Sequence, residues 1–105
     1  MIAIKIPTRG KMETINIPDK DLLGALQDIV GGYIEPCAPI QFKERGIELL
    51  ANEEGIIHQL PLNENILPFF FVGDLVAVGI GDEDFVSLNE TQINFVYRWL
   101  EALKR

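Results

Sequence analysis

Ile93, Val96, Tyr97, Leu100 and Leu103 recur at three- and four-residue spacing near the end of the chain, which is the period of one face of an α-helix. Ser87 stands before them with Glu90 three residues on, the spacing of a capping box at a helix N-terminus. Phe95 and Trp99, four apart, widen the apolar stripe. The helix therefore packs deeply or offers an aromatic edge to a partner. A stripe of this kind needs a surface to bury it, and most of the preceding chain is written in a period of two rather than 3.6. That combination constrains the fold to a sheet with helices laid against it.

Ile2, Ile4 and Ile6 alternate with Ala3 and Lys5 up to Pro7, and Glu13 to Ile17 repeats the alternation beyond Thr8-Arg9-Gly10-Lys11. A hairpin is expected there. Leu22, Leu23, Leu26, Ile29 and Val30, behind Pro18-Asp19 and before Gly31-Gly32, predict a helix from about Asp19 to Val30. Tyr33-Ile34-Glu35 reads as a strand start that, with Pro36 and Pro39 unable to donate to a ladder, is an edge strand or leaves the sheet early, and Gln41 to Gly46 as a connecting loop. Ile47 to Leu50 and Ile56 to Gln59 flank Asn52-Glu53-Glu54-Gly55, which suits a type I turn in a second hairpin. Pro61 to Pro68 reads as a loop or a single helical turn. Phe69 to Val72 and Leu75 to Ile80 are strand-like on either side of Gly73-Asp74. The expected fold is α+β: a single domain, residues 1–105, with a mainly antiparallel mixed β-sheet packed against an N-terminal-half helix and a long C-terminal helix.

At 105 residues, 48% hydrophobic and 24% charged, the chain is long and apolar enough for one core, and too short for two of ordinary size. Cys37 is the lone cysteine, so no intramolecular disulfide points to an oxidising compartment. The first residues lack the charged and apolar regions of a leader, and the apolar run Ile66 to Val72 is broken by Pro68. A cytoplasmic address without membrane association is expected. Charge is placed unevenly. Residues 46–97 carry nine acids and no Lys or Arg, whereas the rest carries seven acids and nine bases, giving −9 + 2 = −7. Such a field repels a phosphate backbone, so direct nucleic-acid binding is disfavoured. The acids either keep the protein in solution or face a basic partner.

No catalytic constellation is evident. Gly79-Ile80-Gly81 lacks the third glycine of a dinucleotide loop and runs into Asp82-Glu83-Asp84. Those acids do not have EF-hand spacing. His58 has no second histidine to complete a zinc site, and Ser87 lacks a nucleophile-elbow context. No metal, cofactor or catalytic residue is therefore assigned. Tyr33, Glu35, Asn63 and Asn65 are the candidate ligand-binding residues, through their mix of aromatic and polar groups, although each also suits an edge strand or a turn. Glu53, Glu54, Asp82, Glu83, Asp84 and Trp99 are the candidate partner-binding residues.

Leu26-Gln27-Asp28-Ile29-Val30-Gly31-Gly32-Tyr33-Ile34-Glu35 resembles the signature of a family of small acidic proteins of unknown function found in bacteriophages, plasmids, integrative elements and bacterial genomes. The resemblance continues through Asn52-Glu53-Glu54-Gly55, Leu60-Pro61-Leu62-Asn63, Gly73-Asp74 and Asp84-Phe85-Val86-Ser87-Leu88. It implies a setting, a mobile-element protein inside a bacterial host, and no chemistry. The leading expectation is a non-enzymatic binding protein that engages a host protein, in a defence or nucleic-acid-handling system. The alternatives are a small-ligand or nucleotide-signal module, with its pocket under a helix or at a homodimer seam, and an accessory structural domain.

Overall fold

The computed structural model describes residues 1–104. Among these the chain forms six strands, three helices and one 3₁₀ turn. Strands β1 (Ile2–Ile6), β2 (Glu13–Asn16), β3 (Ile34–Pro36), β4 (Ile47–Asn52), β5 (Leu75–Ile80) and β6 (Phe85–Val86) make one sheet. Its order is β2-β1-β5-β4-β3, with β6 paired to β5 past the start of β1. Every pairing is antiparallel, so the sheet is not mixed.

Helix α1 (Leu22–Val30) covers one face through Leu26 and Val30, against Ala3, Leu50, Val76 and Val78. Helices α2 (Ile40–Lys43) and α3 (Glu90–Leu103) cover the other through Phe42, Val96 and Leu100, against Ile4, Ile6, Leu49, Leu75 and Ala77. Because both faces are covered, β4 and β5 are buried almost throughout and do not alternate between buried and exposed positions.

The first hairpin, the edge position of β3, the α3 stripe and the single turn at Glu64–Ile66 form as the sequence predicts. Four expectations are corrected. The second hairpin does not exist: residues Ile56 to Gln59 continue as hydrogen-bonded turns, with His58 N–H on the Glu54 carbonyl and Leu60 N–H on the Gly55 carbonyl. Asn52 starts these turns by accepting the Glu54 N–H on its side chain, and β4 pairs with β3 and β5 instead. His58 therefore lies on a turn rather than a strand. Phe69 to Val72 contributes one isolated bridge, Leu62 to Val72, in place of a strand. The Gln41 to Gly46 loop contains most of α2, which starts behind Pro39.

The fourth correction concerns caps. Asn89, not Ser87, caps α3: its side chain accepts from Gln92 N–H while Gln92 accepts from Asn89 N–H. Ser87 Oγ instead accepts the Ile2 N–H, tying β6 to β1. Helix α1 starts later than expected, at Leu22, behind Asp21, whose side chain accepts from Gly24 N–H. It ends as expected, with Gly31 in the left-handed region at φ 82° and both Gly31 and Gly32 N–H groups on the Gln27 carbonyl.

Among the described residues no helix is long and apolar enough to cross a membrane.

Candidate functional site

The strand directions bring the start of β3, the end of β4, the start of β5 and the end of β1 to one end of the sheet. Gly31 to Tyr33, Asn52 to Gly55, Asn63 and Gly73-Asp74 all lie there. Asp82, Glu83 and Asp84, between β5 and β6, lie at the other.

Asn52, 7% exposed, organises the β3 side of that end. Its amide donates to the Val30 carbonyl at 3.2 Å, satisfying an orphan acceptor at the C-terminus of α1, and its carbonyl accepts from Glu54 N–H at 2.8 Å. A Cβ on Gly32 would stand 2.9 Å from that side-chain nitrogen, so only glycine lets the chain leave α1 this close to Asn52. Beside it opens a polar cleft of about 580 Å³, lined by Gln27, Asp28, Tyr33, Glu54 and His58 among others. His58 Nε2 stands 4.0 Å from a Glu54 oxygen.

A second groove, of about 260 Å³, lies across the same strand and also meets Asn52. Glu35, Cys37, Glu53, Ile56, Ile57, Phe70 and Phe71 line it. Ile56, Ile57 and Phe70 are 72%, 75% and 70% exposed, an unusual density of large apolar surface. Cys37 is no nucleophile here. Burial, with Glu48 and Glu35 adding repulsion, pushes its thiol up to about 12, so it stays protonated.

Tyr33 and Glu35, two of the candidate ligand-binding residues, line these two different openings. Asn63 and Asn65 line neither. Asn63, fully buried, donates to the Ile6 and Gly73 carbonyls and accepts from Asn65 N–H. Asn65 donates to the Pro7 and Gly10 carbonyls and accepts from Lys104 Nζ. With donors and acceptors used within the chain, both asparagines hold loops to the sheet, and the four candidate ligand residues form no common site.

The six candidate partner residues divide as well. Glu53 and Glu54 rim the clefts at β3, and Asp82, Glu83 and Asp84 are exposed at the far end. Trp99 lies half-buried on α3, its ring 4.9 Å from that of Phe42 and 5.3 Å from that of Phe69. The exposed Ile56, Ile57 and Phe70 were not legible as surface. Two isoleucines after a turn read as a buried strand, and no local signal says otherwise.

No curated protein and no solved structure matches the chain. A family model does, and it takes in all the segments gathered at both ends of the sheet: the chain belongs to the domain of unknown function DUF3846, whose model matches residues 1–103.

Proposed function

We propose that the protein is a non-enzymatic binding protein of a phage or mobile element, acting in the cytoplasm of a bacterial host by engaging a host protein of a defence or nucleic-acid-handling system. The observation that carries the binding reading is the apolar groove of Ile56, Ile57 and Phe70, each at least 70% exposed, beside Glu35 and Glu53 at a free sheet edge. A protein interface combines an apolar centre with a charged rim, and an acidic rim selects a basic partner. The setting rests on the sequence resemblance.

Affinity capture from bacterial lysate tests this, with the tagged protein beside its Ile57→Asp and Phe70→Asp variants. Substitutions at exposed positions leave the fold intact, which circular dichroism checks. The expected result is a host protein retained by the native chain and lost from both variants. A capture profile the variants do not change overturns the reading.

A second reading, a small-ligand module, is supported by the 580 Å³ cleft with its aromatic, amide and carboxylate groups. Asp28, Glu54 and the C-terminal end of α1 make that cleft electronegative, which favours a cationic ligand over a nucleotide. A thermal-shift panel distinguishes them: stabilisation by polyamines supports the ligand module, and no shift at millimolar concentration removes it.

A further inference from the structure

Strand β3 ends the sheet, with a neighbour on one side only. Its register fixes what the free side offers. Glu53 N–H donates to the Tyr33 carbonyl and Cys37 N–H to the Leu49 carbonyl, so Tyr33, Glu35 and Cys37 direct their backbone groups at β4. Ile34 and Pro36 alternate with them and direct theirs outward. Pro36 thus stands where its missing N–H breaks no ladder bond, and the edge presents the Ile34 N–H with the Ile34 and Pro36 carbonyls.

The two openings described above lie on opposite faces of this same edge. Glu35 pairs with Ala51, whose side chain belongs to the core under α2 and α3, so the groove of Ile56, Ile57 and Phe70 is on that face. Asn52 and Ile34 belong to the α1 face, where the cleft of Asp28, Tyr33, Glu54 and His58 opens. A strand added to β3 sends alternate side chains to alternate faces. One set meets isoleucine and phenylalanine, the other meets carboxylates.

Resting on the protein-binding reading and deepening it, we infer that β3 is a docking edge for one extended strand of a partner protein, with apolar side chains on the Ile56–Phe70 side and Lys or Arg on the Asp28–Glu54 side. Backbone pairing supplies attachment and the two faces supply selectivity, the mode of β-strand addition. Charge decides against a second copy of this chain. Two β3 edges brought together place Glu35, Glu53 and Glu54 of each copy near those of the other, and like charges across paired strands destabilise.

The probe is a heptapeptide of alternating isoleucine and lysine, titrated into the full chain while amide exchange of Ile34 is followed by NMR. Saturable binding with slowed exchange at Ile34 is expected. A peptide of the same composition in blocks, or with glutamate in place of lysine, is expected to bind at least about tenfold more weakly, the ratio that 1.4 kcal/mol sets. N-methylation of one alternate set of peptide amides is the decisive control. Opposite Ile34 in an antiparallel fit stands a residue of the α1 face, hence a lysine, so methylating the lysine amides abolishes binding and methylating the isoleucine amides does not. Equal effects of the two sets, an unchanged Ile34 amide, or a chain that sediments as a dimer and dissociates on Glu35→Lys, overturn strand docking. If strand docking fails while lysate capture still depends on Ile57 and Phe70, protein binding stands without it; if capture fails, the broader reading falls independently of the peptide.

Discussion

Three buried asparagines fix the end of the sheet, and each does so by satisfying backbone groups that no regular element reaches. Asn63 is fully buried with both amide hydrogens and its carbonyl used. Asn63→Ala removes the bonds to the Ile6 and Gly73 carbonyls and leaves the Asn65 N–H without its side-chain acceptor, and is expected to cost about 3 kcal/mol. Urea denaturation reads this as a lower midpoint at unchanged slope. Asparagine reads equally as a turn former or a pocket donor because its partners here lie more than fifty residues away, at Ile6, Pro7 and Gly10. Glycines beside a helix end are more legible, since the left-handed backbone at Gly31 is a local demand.

Cys37 carries a prediction at the same scale. Its thiol rises from an ordinary value of 9.0 to about 12, chiefly by burial. The folded chain then holds a proton that the unfolded chain releases above 9, so stability from this group is intact at neutral pH and falls as pH climbs from about 9 towards 12. Chemical denaturation at a series of alkaline pH values, beside Cys37→Ala, measures it: the native chain is expected to lose stability over that window more steeply than the variant. The native thiol is also expected to resist alkylation at pH 8 and to react once urea unfolds the chain.

Elements were legible where their pattern was local and complete. The stripe on α3 and the alternation of β1 and β2 state both type and facing. The fate of the segment after β4 is not legible locally, because Asn52-Glu53-Glu54-Gly55 serves equally to reverse a strand and to start successive turns, and the choice depends on β3 and β5 already flanking β4. Capping shows the same ambiguity over two residues. Ser87 and Asn89 both precede α3, and only the reciprocal bonds with Gln92 decide for Asn89. Asn89→Ala is expected to cost about 1 kcal/mol and to fray the first turn of α3, whereas Ser87→Ala, which removes one exposed bond to Ile2, leaves the helix untouched. Thermal melts give the cost, and exchange of the Gln92 and Ile93 amides locates it.

For the whole molecule the informative quantity is where the acids sit along the strands. Residues 46–97 carry nine acids and no Lys or Arg, yet the fold sends them to both ends of the sheet. Glu53 and Glu54 join Glu35 at the edge of β3, and Asp82, Glu83 and Asp84 follow β5 at the other end. A six-residue strand such as β5 spans roughly 20 Å, more than twice the Debye length of about 8 Å at physiological ionic strength. The two groups therefore act on a partner at β3 in different ways. Reversing Asp82, Glu83 and Asp84 to lysine touches only the long-range field, and is expected to slow association with the isoleucine–lysine peptide at low salt, with the difference vanishing at physiological salt and dissociation unchanged. Reversing Glu53 and Glu54 acts at contact range, and is expected to speed dissociation about tenfold at either salt concentration. Surface-captured protein with the peptide in flow separates the two rates. Faster dissociation from the Asp82 to Asp84 variant than from the Glu53 and Glu54 variant would place the binding face at the opposite end of the sheet, beside β6 and the start of α1.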